Sequence, residues 1–256
     1  MKIVKDDVKA KTQVIYGVNP LIESLKSKER DIDTLFLLRE KKGELVQQLL
    51  RLAAKKRIPV IYKTREEMDI LSGNGVHQGV AGIRKAFSYT SIEEIVLWPP
   101  EKKNKRLIVL LDGITDPQNM GAMIRTGHCF GVDGFIIPEN RSASLTATVL
   151  KASAGALLHM PVAMVVNLAR AIDFLKEQKF WIYGADMGGT SSFHSFDCAD
   201  HVALVMGGEG KGLRPLIRKK CDFLISIAMR SQFDSLNVSV AAGIIIHDIV
   251  KNWKEN

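Results

Sequence analysis

LIVLLDGITDPQNMGAMIRTGHCFGVDGFIIP, residues 107–138, is the stretch whose reading decides the fold. LIVLLD (107–112) is an apolar run closed by an acid, and GFIIP (134–138) is a second apolar run. Between them NMGAMIRTGHCF (119–130) has helical length and composition. A strand, a helix and another fully apolar strand make one unit of a parallel sheet that is covered on both faces. The alternation continues to the C-terminus. PVAMV (161–165), FWIYGAD (180–186), HVALVMG (201–207) and FLISIAM (223–229) read as strands. SLTATVLKASAGA, LARAIDFLKEQ, RPLIRKK and NVSVAAGIIIHDIVKNW read as the helices around them. The last helix sets Val238, Ala241, Ala242, Ile245 and Ile249 at helical spacing, a core-facing stripe rather than a ligand box.

Working back toward the N-terminus, residues 13–86 alternate short apolar runs with helical patterns and form a small α/β module. VIYG (14–17), TLFLLRE (34–40), IPVIYK (58–63) and GVAGIRK (79–85) are its strand-like segments; PLIESLKS (20–27) and ELVQQLLRLAAKK (44–56) are its helices. Gly73, Gly75 and Gly79 mark a turn-rich stretch. Residues 1–12 form an N-terminal extension, and 87–106, with a Pro–Pro pair and a charge cluster, read as a linker with one short helix at SIEEIVLW. The expected organisation is therefore an extension (1–12), a first domain (13–86), a linker (87–106) and a larger domain (107–256).

The composition, 46% apolar and 25% charged over 256 residues, is that of a folded chain with an ample core. No apolar run is long enough to span a membrane, and MKIVKDDVKAKTQ lacks the apolar region of a secretory signal. Cys129, Cys198 and Cys221 are too few and too scattered for a disulfide framework or a CxxC zinc site. These features lead us to expect a cytoplasmic, reduced protein with no metal. The net charge is +8, from 36 basic and 28 acidic side chains. Residues 1–106 hold 22 basic and 14 acidic groups, leaving 14 and 14 for residues 107–256. The excess lies wholly in the first part, where an anionic polymer such as RNA would be met. Lys28, Arg30, Lys41, Lys42, Lys55, Lys56 and Arg57 read equally well as solvated helix faces.

In an open α/β sheet the chemistry lies beyond the carboxyl ends of the strands. Three loops there are rich in glycine and polar residues: DGITDPQNMG (112–121), MGGEGKG (206–212) and MRSQFDSLN (229–237). MGGEGKGLR resembles a phosphate loop, but its spacing is too short and no Ser or Thr follows. GxGxxG after the first strand, GxSxG and HExxH are all absent. His77, His128, His159, His194, His201 and His247 show no ligand spacing. Singly, the remaining polar residues have structural readings: Asp116 or Asn119 caps a helix, Gly207, Gly208 and Gly210 make a tight turn, and Ser235 or Asn237 caps the last helix. Together, Asn119, Arg125, Glu209, Ser235 and Asn237 at the ends of three strands form a polar constellation that structure alone does not demand.

DGITDPQNMGAMIRT (112–126), LVMGGEGKGLRPLIRKKCD (204–222) and ISIAMRSQFDSLNVSVAAGI (225–244) closely resemble the three motifs of the SpoU family, RNA 2′-O-ribose methyltransferases of the SPOUT superfamily. The N-terminal stretch from YGVNPLIESL to HQGVAGI resembles the substrate-binding domain of the bacterial 23S rRNA guanosine-2′-O-methyltransferase subfamily, RlmB. The resemblance implies a small L30e-like α/β domain followed by a trefoil-knotted α/β domain with a mostly parallel sheet. It also implies S-adenosylmethionine held by the knot loops, RNA as substrate, with 23S rRNA as its target, and a homodimer whose active site draws on both subunits. Carried over by position, Gly207, Ile227 and Leu236 are the expected cofactor contacts, and Asn119, Arg125, Glu209, Ser235 and Asn237 the expected active-site residues.

A ribose hydroxyl is a weak nucleophile that needs alignment and activation. The guanidinium of Arg125, a strong hydrogen-bond donor and a poor base, suits holding the adjacent phosphate and polarising the 2′-OH better than it suits proton abstraction. Glu209, Ser235 and Asn119 would orient Arg125 and the ribose, while Asn237 buttresses its loop and caps its helix. Ser231, Gln118 and Gly208 depart from the subfamily's frequent Gly, His and Ser or Ala. The rival readings are the same reaction on tRNA and a non-catalytic RNA-binding or ribosome-assembly protein on the same fold.

Overall fold

The seven residues of β5 (Arg106–Asp112) are all buried, as an uninterrupted apolar run requires of a strand in the middle of a parallel sheet. The computed structural model describes residues 12–27, 31–97, 104–186, 191–192, 199–210, 212–230 and 235–255. Most of the N-terminal extension, Lys28, Arg30, the Pro–Pro centre of the expected linker, His194, Cys198 and Ser231 lie outside the described residues. The chain divides into two units: residues 1–88 with 145–158, and residues 89–144 with 159–256.

In the first unit β1 (Thr12–Tyr16), β4 (Val80–Lys85), β2 (Ile32–Leu38) and β3 (Val60–Lys63) lie side by side in that order, antiparallel except for β2 with β3. Helices α1 (Val18–Lys26) and α2 (Glu44–Lys55) fall where the periodicity predicts them. A third helix, α3 (Arg65–Ser72), is one the sequence reading missed. Its signal was present: Thr64 and Glu67 form a reciprocal capping box, and Gly73 closes the helix in the left-handed conformation. The HQG triplet ties this unit together. Gln78 accepts a hydrogen bond from Val18 N at 3.1 Å, capping α1, whose Gly17 has no side chain to do so. Gly79 N–H donates to His77 Nδ1 at 2.9 Å, so the ring proton sits on Nε2 and is donated to Asp69 at 3.0 Å.

Residues 145–158, which the sequence places between two strands of the larger domain, pack with this first unit. Within it α6 (Ala147–Ala152) contributes the buried Val149 and Leu150. Lys151 donates to the Val76 carbonyl at 2.6 Å and lies over the Tyr16 ring.

The second unit is a seven-stranded sheet in which every pairing is parallel. Its order is β7 (Val162–Val165), β6 (Gly134–Pro138), β5, β10 (His201–Gly207), β8 (Trp181–Ala185), β11 (Phe223–Ser226) and β9 (Ser191–Ser192). The chain runs outward from β5 to β7, crosses to β8, and returns to set β10 between β5 and β8. That reversal puts a crevice at the carboxyl ends of β5, β10 and β8. One face buries Ile108, Leu110, Ile136, Ile182, Ala203 and Val205 against α7 (Leu168–Glu177) and α8 (Pro215–Lys220). The other is covered by α5 (Pro117–Phe130), which packs against α9 (Val238–Glu255). Gly127 of α5 lies on the Phe135 ring, where a Cβ would sit 2.8 Å away.

The stretch read as a linker is part of this core on its described side. Thr90 N bonds to Val162 O at 2.9 Å, and Ser91 caps α4 (Ile92–Leu97) in a reciprocal box with Glu94. Ile95 is fully buried against Gly134. The Arg106 guanidinium donates to the carbonyls of Ile95, at 2.7 Å, and Val96. One helix of this length is too short to show periodicity, which is why the pattern reads as a linker. Ile95→Ala should lower the unfolding free energy in urea by about 3 kcal/mol. A loss under about 0.5 kcal/mol would mean that α4 does not belong to this core.

Candidate active site

Asp112, the acid that closes β5, organises the loop that leaves β10. Its buried carboxylate accepts from Arg214 N at 2.9 Å and Arg214 Nε at 2.5 Å. Its carbonyl accepts from Gly208 N at 2.9 Å, and Gly212 N donates back to Gly208 O at 3.0 Å. Residues 207–214 are thus pinned at both ends to one residue of the neighbouring strand. The fold-back demands glycine. A Cβ on Gly207 would lie 2.3 Å from the Gly212 carbonyl carbon, and one on Gly208 would lie 2.6 Å from Gly113 O. No side chain fits at either position without a backbone shift.

The loops on either side are fixed by helix caps. Asp116 caps α5, accepting from Gln118 N at 3.0 Å and Asn119 N at 3.4 Å, with Pro117 at the first helical position. The Asn119 side chain is thereby left for other use. Asn237 caps α9: its Oδ1 accepts from Ser239 N at 3.0 Å, Ser239 Oγ at 2.6 Å and Val240 N at 3.4 Å. Backbone N–H groups can only donate, so this cap fixes which end of the amide is oxygen. Asn237 Nδ2 must then donate, and it does so to Asn119 Oδ1 at 2.9 Å and Glu209 Oε1 at 3.0 Å. Asn119, with its oxygen already an acceptor, turns its own Nδ2 to Glu209 Oε1 at 3.0 Å. The three side chains close a triangle that joins α5, the loop after β10 and the start of α9.

Beside this triangle is a cavity of about 590 Å³, within the range of small-molecule sites. Gly207, Glu209, Ile227, Ser235, Leu236 and Asn237 line it. Asn119 does not line it and reaches it through Glu209 and Asn237. Arg125 does neither: it is exposed on α5 and has no hydrogen bond or ion pair among the described residues. Six residues along a helix turn about 600°, so Arg125 leaves α5 on a different side from Asn119. The structure brings seven of the eight expected residues to one place and leaves Arg125 apart.

Two features of the cavity escaped the sequence reading. Val238, Ala241 and Ile245 line it, so part of the stripe read as wholly core-facing is cavity wall. Asp186 also lines it, held by Arg218 Nε at 2.9 Å. Its signal was the pattern already seen at Asp112: an acid closing an apolar strand at the sheet's carboxyl edge. Neither of the two described cysteines lines the cavity.

Residues 106–247 match the SpoU rRNA Methylase family, and residues 14–90 match the domain described as RNA 2′-O ribose methyltransferase substrate binding. YacO of Bacillus subtilis (strain 168), whose name assigns it to the TrmH family of tRNA/rRNA methyltransferases, is 38% identical over 93% of this chain and 94% of its own. The fold is shared with the SpoU methyltransferase AviRb from Streptomyces viridochromogenes, solved with AdoMet. The TM-score is 0.78 at 23% identity, over 96% of this chain and 92% of that one. A TrmH/SpoU tRNA modifying enzyme from A. aeolicus superposes with a TM-score of 0.55 at 28% identity, over 64% of this chain and 81% of its own.

Cys221 closes α8 at its C-terminal end. Burial, reinforced by the charge of Asp222, pushes its thiol up to about 12 from an ordinary 9.0. Its sulfur donates to Ile217 O at 3.3 Å. With so high a value only about one thiol in 10,000 is ionised at pH 8. Iodoacetamide at pH 8 should therefore alkylate the exposed Cys129 and spare Cys221 until the chain is unfolded, as read by peptide mass mapping. Equal labelling of the two in the folded protein would contradict the buried placement.

Proposed function

The chain belongs to the SpoU rRNA methylase family of RNA methyltransferases, and on that premise we propose that it moves a methyl group from S-adenosylmethionine to the ribose 2′-OH of a guanosine in 23S rRNA, working as a homodimer. The observation that carries this reading is the closed Asn119–Glu209–Asn237 triangle beside the cavity. A fold kept only for binding has no need to hold a carboxylate and two amides from three loops in one arrangement.

The cavity fits the cofactor on its own terms. It is large enough for a nucleoside with an amino-acid tail, and Gly207, which the loop's fold-back requires to be glycine, lies in its wall. Gly207 would offer backbone groups, and Ile227 with Leu236 an apolar wall for the adenine. S-adenosylmethionine, when bound, supplies a methyl on a sulfonium, an electrophile that needs no further activation.

The chain's own work is on the nucleophile. Arg125, exposed and bonded to none of the described residues, is available to grip the phosphate beside the target ribose and to polarise the 2′-OH. A guanidinium carries only donors, so Arg125 positions and polarises the 2′-OH, whose proton passes to solvent as the methyl is transferred. Glu209, Asn119 and Ser235 orient the ribose, and Asn237 holds the loop through its cap on α9.

The target is read from the N-terminal match. This chain carries the substrate-binding domain over residues 14–90, and the basic excess lies in the same part of the chain. The likeness to the A. aeolicus tRNA enzyme covers only 64% of this chain. Transfer of labelled methyl to 23S rRNA and to tRNA, both from a strain lacking this protein, tests the reading. Label should enter 23S rRNA at one ribose, and label in tRNA alone would overturn the target. Arg125→Ala should cut turnover about 100-fold or more while calorimetry shows cofactor affinity within about twofold of wild type. An active variant would sink the role given to Arg125.

A further inference from the structure

Arg141 sits in the loop that leaves β6, at the same carboxyl edge of the sheet as the cavity. Its φ is +62°, in the left-handed region that residues with a side chain seldom occupy. The loop is not loose. Ala143 is buried, and its N–H donates to Ile114 O at 2.9 Å, fastening the loop to the one that leads into α5 and Asn119. The side chain is nevertheless exposed and has no hydrogen bond or ion pair among the described residues; Glu139, two residues away, does not pair with it.

Asp112 and Asp186, two acids at this edge, are already bonded to Arg214 and Arg218. A cation here that no described acid satisfies, carried on an anchored loop in a backbone conformation that disfavours it, is a feature that folding gives no reason to keep.

We propose that Arg141 binds a backbone phosphate of the RNA substrate, close to the nucleotide presented to the cavity. The planar guanidinium offers paired donors that match two phosphate oxygens. The assignment rests on the RNA-methyltransferase reading above, and adds a phosphate contact within the near-neutral catalytic part, where the charge count alone predicts none.

The test uses full-length wild type, Arg141→Lys and Arg141→Gly, with unmodified 23S rRNA transcribed in vitro. Binding is read by anisotropy and methyl transfer by label, each at several salt concentrations. Glycine removes the charge and relieves the left-handed backbone, so its Tm should equal or exceed that of wild type. RNA Kd and KM should nonetheless rise about tenfold, with kcat within about twofold and the slope of log affinity against log salt reduced by about one. Lysine should recover part of the loss, and cofactor affinity should not change. An Arg141→Gly protein with wild-type RNA affinity overturns the proposal, as does one whose RNA defect accompanies a fall in Tm or dissociation of the subunits. Wild type that binds RNA but transfers no methyl would instead refute the functional reading, while the binding comparison still decides Arg141.

Discussion

One carboxylate oxygen, Glu209 Oε1, accepts hydrogen bonds from two amides that arrive on two different helices, and the geometry of the site depends on it. A hydrogen bond to an ionised acceptor contributes about 1.5–3 kcal/mol, roughly twice a neutral one. Asn119 is buried, so losing its partner would also leave a desolvated amide unpaired. The orientation of every group in the triangle follows from a single fact, that Asn237 Oδ1 is committed to the backbone N–H groups of α9. Secondary structure therefore dictates the polarity of the site: the cap sets the amide, the amide sets Asn119, and both point at Glu209. Asp112 performs the matching task below it, pinning both ends of the loop that carries Glu209.

These constraints share a cause in the strand order. Because β10 returns between β5 and β8, the loops after β5 and β10 leave the sheet as neighbours, with Gly207 paired to Asp112. Gly207 and Gly208 then let two backbones approach more closely than any side chain would allow. The polar triangle and the cavity are consequences of that approach.

Much of this was legible in the sequence because it is written in local patterns. The apolar runs at 107–111 and 134–138 read as covered parallel strands, and they are. The constellation at the strand ends could be named because glycine, amide and acid were concentrated in three short loops. What stayed hidden was non-local. Which cap frees Asn119 depends on Asp116 taking the backbone donors first. That Ile95 fills the space above Gly134 depends on a pairing with β7 that no short helix announces. Residues 145–158 have ordinary helical periodicity, which records an apolar face but not the unit that receives it. Arg125 belongs here too: its motif names it, yet none of the described residues bonds to it.

The central claim is that Asn119 and Asn237 act as one unit through Glu209, so that two helices and a loop are energetically coupled. A double-mutant cycle with Asn119→Ala, Asn237→Ala and the pair, read as unfolding free energy in urea, measures that coupling and cancels the separate cost of the lost α9 cap. The account predicts an interaction energy of about 1 kcal/mol or more. Additivity within about 0.3 kcal/mol would show that the triangle joins nothing, and would contradict it.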